Sequence, residues 1–239
     1  MYNEARNIQA VTDELLQVLD SLPSTSEILL CDDGSTDDTL SQALAMCRNY
    51  SNVRVLTSPS NQGQSIAWIA GINLARGDLI AFVDADGQNP AANLLQLLEQ
   101  LRPELIFSKG FRQIRYDNFL IRVIPSKIGN YFLSRLSGVP IRDLGCSLGV
   151  YRRQALLDTP FFPNFHRYLA ILLAWQNLPF VEIPVTHKPR SIGNSRYNIF
   201  RKWITAIPEF LLIRKAYRLD TQSTVKIRQV QHNFKEVYL

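Results

Sequence analysis

In the stretch LIAFVDADGQNP, residues 79 to 90, Asp84 and Asp86 flank one small residue, Ala85, and Gly87, Gln88, Asn89 and Pro90 follow. Two carboxylates that close raise each other's pKa unless a cation shares them. Their hard oxygens suit Mg²⁺ or Mn²⁺, and Gln88 offers an amide oxygen nearby. Magnesium held by one or two carboxylates takes phosphate oxygens in its other positions. Asp84 and Asp86 are therefore expected to bind a nucleoside diphosphate through a metal. For this pattern alone a loop or helix cap is the commoner explanation. A second acidic pair, Asp32-Asp33, stands in EILLCDDGS, ahead of Ser35, Thr36, Asp37 and Asp38. Those later residues have the hydroxyls and carboxylates of a helix start.

Both pairs need elements that deliver them. Leu79 to Val83 and Ile28 to Cys31 are apolar runs too short for helices and read as buried strands. Helical spacing marks residues 5 to 22, Thr39 to about Arg48, and a segment ending near Gly77. A further strand is expected at 53 to 58, a helix from about Tyr168 to Trp175, and a strand at Phe180 to Val185. Strands alternating with helices argue for a wound α/β sheet, whose ligands sit beyond the carboxyl ends of its strands. That architecture would bring both acidic pairs to one rim. The last 20 residues, from Asp220, are polar and mixed in charge and are expected to form a loosely packed tail.

The 239 residues are 46% hydrophobic, with a formal net charge of +5 and a pI near 9.2. Wholesale disorder is excluded. The basic excess suits nucleotides, phosphorylated substrates or an anionic membrane surface. A nucleic-acid partner is not expected, because the basic residues gather around one loop rather than a stripe. Cys31, Cys47 and Cys146 resemble neither a disulfide framework nor a zinc site, so a cytoplasmic setting is the expectation. No signal peptide or spanning helix is read. The segment Ile199 to Tyr217 reads as a core-packing helix, with an interfacial membrane helix as the alternative.

YNEARNI at 2 to 8, LLCDDGSTDDTL at 29 to 40, SNQGQSIAWIAGINLARGDLIAFVDADGQNP at 60 to 90 and HKPRSIGNSRYNI at 187 to 199 form an ordered set. Together they resemble the family 2 inverting glycosyltransferases, and within them the dolichyl- or polyprenyl-phosphate sugar transferase branch. The resemblance covers about residues 1 to 205. It implies a GT-A (Rossmann-like) nucleotide-sugar-binding α/β fold with a mostly parallel central sheet. Residues 1–100 would be the nucleotide-binding half and 101–205 the acceptor half, with a C-terminal helix and polar tail at 206–239.

The same resemblance implies roles. Tyr2 and Glu4 would line the nucleotide pocket with Asn3 supporting that turn, Asp33 would read the base, and Asp32 would neighbour it. Asp84, Ala85, Asp86 and Gln88 would surround the metal and diphosphate. Arg112 and Arg122 would face phosphates, and Arg190 and Arg196 would belong to a basic loop in which Arg196 replaces the usual lysine. Asp143 would orient the acceptor or act as base; His166 and His187 read as structural and Cys146 as a small buried residue. The donor would be UDP- or GDP-linked, and the acceptor a lipid phosphate at the inner face of the membrane. A saccharide or other hydroxyl acceptor, and an inactive nucleotide-sugar-binding homologue, are the competing expectations. Family members open with an apolar strand ahead of the Tyr-Asn-Glu turn, whereas Met1 directly precedes Tyr2 here. The sheet is thus expected to lack its first strand, through a late start or a truncation.

Overall fold

The computed structural model describes residues 1–113, 124–188, 199–219 and 225–237, with the side chains of 124–127 and 199–205 outside that description. Elements run α1 (Ile8–Asp20), β1 (Ile28–Asp32), α2 (Thr39–Asn49), β2 (Val53–Thr57), α3 (Gln64–Leu74), β3 (Leu79–Phe82) and α4 (Ala92–Gln100). They continue β4 (Phe107–Arg112), α5 (Ile124–Ser137), β5 (Gly149–Arg152), α6 (Arg153–Asp158), α7 (Leu169–Trp175), β6 (Phe180–Val185), α8 (Ile199–Leu219) and β7 (Lys235–Val237).

The α/β class holds, but the sheet is divided and mixed rather than mostly parallel. One sheet has the order β1-β2-β7 and the other β3-β5-β4-β6. Pairs β1·β2 and β4·β6 are parallel, while β2·β7, β3·β5 and β4·β5 are antiparallel. The antiparallel pairs arise because β5 enters between β3 and β4 against both, and β7 returns along β2. That return corrects the expectation of a loose tail. Phe234 and Ile227 are buried, and Glu236 grips Arg54 at 2.6 Å, which also holds Glu27. Polar composition misled because two of the few apolar residues of the tail, Ile227 and Phe234, are enough to anchor it to the core. Helix α8 also runs unbroken across the expected boundary between residues 205 and 206.

Strand β1 and strand β3 each end a sheet, and their unpaired edges face a common cavity of about 1420 Å³. Ile28 to Cys31 line one wall and Leu79 to Val83 the other. Helix α3 floors the cavity with Ala67, Trp68 and Gly71, while α1 roofs it with Ile8, Val11, Leu15 and Leu19. Met1 lies beside the carboxyl end of β1: its amino group donates to the Cys31 carbonyl at 2.7 Å and its carbonyl accepts from the Asp33 amide at 2.9 Å. Trp68 stacks on Phe82, with ring centroids 3.8 Å apart and planes 6° off parallel. Such pairs contribute about 0.5–1.5 kcal/mol beyond burial and tie α3 to the second sheet.

Candidate active site

Both acidic pairs stand at strand ends, and Asp33, Asp84, Ala85 and Asp86 line the one cavity with Tyr2, Glu4, Gln88, Arg112 and His187. Residues 51 to 53 apart in sequence thus share a rim. The turn after β1 requires its glycine. Gly34 has φ +70°, and a Cβ there would stand 2.6 Å from the Ser60 carbonyl carbon. That close approach puts the Gln62 and Gly63 amides against Asp33, whose two oxygens accept them at 2.7 and 2.8 Å. Asp32 is fully buried and accepts from the Thr57 hydroxyl at 3.1 Å and the Ser35 amide at 3.4 Å.

The Asn3 backbone is left-handed, φ 56°. Its side-chain oxygen accepts the Thr36 amide at 2.8 Å, and its own amide donates to the Ser35 hydroxyl. Glu4 holds Asn7 through its carboxylate and Thr39 through its amide. Asp37, read as a capping residue, accepts the Thr39 amide at 3.0 Å, whereas Asp38 at the N-cap makes no side-chain cap.

Asp84 and Asp86 are held differently. Ser147 donates to one oxygen of Asp84 at 2.5 Å and Gln64 to the other at 3.3 Å. Burial pushes the Asp84 pKa up; the Ser147 hydrogen bond opposes that and the Asp86 charge adds to it. Among the described residues Asp86 accepts the Gln88 amide alone, at 3.1 Å, within the turn that Gly87 makes at φ +72°. This turn is pinned from across the cleft, since the Lys188 amide donates to the Gln88 carbonyl at 2.8 Å. Among the described residues no group of three or more His, Cys, Asp or Glu side chains is placed to hold a metal. The donor set here is two mutually repelling carboxylates with an amide beside them. That all-oxygen set fits a hard divalent cation that completes its shell with phosphate oxygens and water.

Arg112 lines the same cavity. Arg112 forks onto Asp143, Nε to Oδ2 at 2.7 Å and Nη2 to Oδ1 at 3.0 Å. The Gly145 amide also donates to Asp143, at 3.1 Å. Lys109, almost fully buried, donates to the carbonyls of Asp143 and Cys146, the first at 2.8 Å. This amine fastens the 143–146 turn to β4. Cys146 is buried as expected. His166 shares a 2.6 Å hydrogen bond with Ser65 and sets its ring edge against Trp68. Arg122, Arg190 and Arg196 lie outside the described residues. Sequence reasoning passed over Ser147, Gln64 and Lys109. Gln64 sits inside a quoted motif and Ser147 in none, yet neither type signals a carboxylate partner until the fold brings it there.

A glycosyl transferase family 2 model matches residues 1–159. A dodecaprenyl-phosphate galacturonate synthase of Rhizobium johnstonii is 35% identical over 205 residues, covering 84% of this chain and 61% of its own. An undecaprenyl-phosphate 4-deoxy-4-formamido-L-arabinose transferase of Sodalis glossinidius is 30% identical over 202 residues, covering 84% and 62%. The chain therefore spans about three fifths of the length of these curated relatives. Among solved structures, the Mycobacterium tuberculosis glucosyl-3-phosphoglycerate synthase with Mn²⁺, UDP and phosphoglyceric acid superposes with a TM-score of 0.68 at 18% identity, covering 89% of this chain and 75% of that one. The mannosyl-3-phosphoglycerate synthase of Rubrobacter xylanophilus gives 0.67 at 16% identity, covering 94% and 75%. These two likenesses establish the fold.

Proposed function

The chain belongs to glycosyl transferase family 2, and from that premise we propose that it transfers a sugar from a nucleoside-diphosphate sugar to a polyprenyl-phosphate acceptor, inverting the anomeric carbon. The observation that carries this reading is the cleft itself, where Asp84, Asp86 and Arg112 line one cavity. Relatives named for dodecaprenyl- and undecaprenyl-phosphate sugars support the acceptor class. A neighbour solved with Mn²⁺ and UDP-glucose supports the donor and metal. Asp84 and Asp86 would hold Mg²⁺ or Mn²⁺, with the Gln88 amide alongside; when bound, that ion supplies Lewis-acid neutralisation of the departing diphosphate.

The remaining work falls to the chain. Asp33 sets the floor of the nucleotide pocket by fixing residues 62 and 63, and Tyr2 and Glu4 form its rim. Arg112, Arg122, Arg190 and Arg196 would offset the charge of two phosphorylated reactants. A phosphate acceptor is already ionised and needs no general base. Both oxygens of Asp143 are taken by Arg112, which favours a phosphate acceptor over a hydroxyl acceptor that needs this carboxylate to remove a proton. Asp143 is then the residue that aims Arg112, and transfer would take place at the inner membrane face.

The test is to incubate the protein with radiolabelled UDP- and GDP-sugars, undecaprenyl phosphate and Mg²⁺ or Mn²⁺. Label entering the organic-extractable fraction is the expected result. Label that enters a water-soluble saccharide instead, or a donor that is merely hydrolysed, would overturn the acceptor assignment.

A further inference from the structure

The turn that carries Asp86 and Gln88 lies between β3 and α4, outside every strand, so contacts from elsewhere must set its place. Two come from the segment after β6. The Lys188 amide donates to the Gln88 carbonyl at 2.8 Å, and the Gln88 side-chain nitrogen donates back to the Lys188 carbonyl at 3.3 Å. That bond commits the nitrogen of the Gln88 side chain and leaves its oxygen, the atom a hard cation takes. Behind the turn, buried Asn93 of α4 donates to the Thr186 carbonyl at 2.8 Å and accepts the Thr186 amide at 3.2 Å. A further hold comes from α1. One oxygen of Glu14 takes the Lys188 amine at 2.9 Å and the other takes the Ala91 amide at 3.3 Å. A single carboxylate thus spans both sides of the contact. The hydrogen bond from Lys188 is the chief cause of its lowered pKa. The far side of the contact belongs to the strands that carry Arg112. In the parallel register of β4 and β6, Arg112 stands beside Val185, three residues before Lys188.

We propose that Glu14 is a positioning residue. Through Lys188 and Ala91 it holds the 86–91 turn where Asp86 and the Gln88 oxygen take up a divalent cation with its diphosphate, at a set distance from the strand end of Arg112. The inference rests on the metal and nucleotide reading of the cleft and adds the residue that places the turn. Stability is not what the pair supplies. The Glu14 and Lys188 side chains are 46% and 51% exposed, and an ion pair so open to water contributes little to folding. Groups that orient metal ligands from outside the coordination shell act instead on metal affinity.

Mn²⁺ binding in the presence of UDP is measured by calorimetry on the full chain, for the parent, Glu14→Ala, Lys188→Met, the double variant and Lys188→Arg. Glu14→Ala and Lys188→Met are each expected to weaken Mn²⁺ about tenfold, the scale of losing an outer partner of a metal ligand. Metal-free melting temperatures should match the parent's. The double variant should lose little more than Glu14→Ala alone, because both changes break one contact, and Lys188→Arg should bind as the parent does. In the metal-free protein the Lys188 amide should exchange faster in Glu14→Ala than in the parent. Additive losses, an unchanged exchange rate, or a melting temperature that falls in step with affinity would overturn the proposal. Two further outcomes separate it from the reading beneath it. A parent that binds Mn²⁺ with UDP, and a Glu14→Ala variant that binds it equally, remove the role of Glu14 alone. A parent that binds UDP but no Mn²⁺ removes the metal reading and this proposal together.

Discussion

The two acidic strand ends look alike in sequence and are solved in opposite ways by the fold. After β1, Asp33 receives two backbone amides and Asp32 a hydroxyl and an amide. After β3, Asp84 receives two neutral side chains, while Asp86 receives one amide of its own turn. Backbone donors are fixed at folding and stabilise a carboxylate permanently. Those of the first pair therefore build the pocket, and the second pair keeps the charge that the proposed reading gives to a cation. Paired acids at a strand end do not announce which kind they are. The donors around them decide it.

This contrast can be broken by substitution. The largest effect is expected at Asp86: Asp86→Ala should lower transfer by roughly 10²–10³-fold or more, the scale of losing a charge-stabilising group. Its metal-free melting temperature should stay near the parent's, since the side chain supports only a local turn; a large drop would make Asp86 structural, like Asp33. Next, Asp33→Ala strands two partly buried amides at about 1–3 kcal/mol each. Calorimetry should therefore show a fall of roughly 4–24 °C, from ~2–4 °C per kcal/mol in a domain of this size. An unchanged melting temperature would show that the first pair is not a framework.

Ligand linkage sharpens the comparison. Mn²⁺ with UDP at 100 times its dissociation constant should stabilise the parent by about 2.7 kcal/mol, with Asp84→Asn cutting the shift sharply. A full shift in that variant would remove Asp84 from the metal site. The smallest expected effect is on pH. The unfolded chain releases the Asp84 proton near pH 4, and the folded protein at higher pH because burial disfavours the charge. Stability is therefore lost as pH rises through that interval. Asp84→Asn should melt slightly higher than the parent at pH 7 without metal and equally at pH 3. A variant that melts lower at pH 7 would mean the carboxylate is satisfied there.

Much of the first half was legible because short apolar runs and helical spacing alternate there without ambiguity. The strand read at Phe180 to Val185 is β6, and Asp84 and Asp86 stand at the rim with Asp33 as the wound architecture required. Strands β4 and β5 were not legible. FSKGFR carries a lysine that is buried only because two carbonyls of another loop receive it. GVYR is four residues long and gains its identity from neighbours on both sides. The pairing of Arg112 with Asp143 was equally hidden, since each residue was read as facing a ligand. Long-range partners are invisible to local pattern; composition hid the tail for the same reason.

The gap between β1 and β3 also divides the molecule's cooperativity. Among the described residues no strand ladder joins the two sheets, so they are coupled by helix packing, chiefly through α3 and α1, and by the single bridge between Pro160 and Lys226. Opening one sheet need not tear a hydrogen bond in the other. Native-state amide exchange should then sort the protein into two groups, with the ladder of β1, β2 and β7 releasing its protons at a lower free energy than that of β5, β4 and β6.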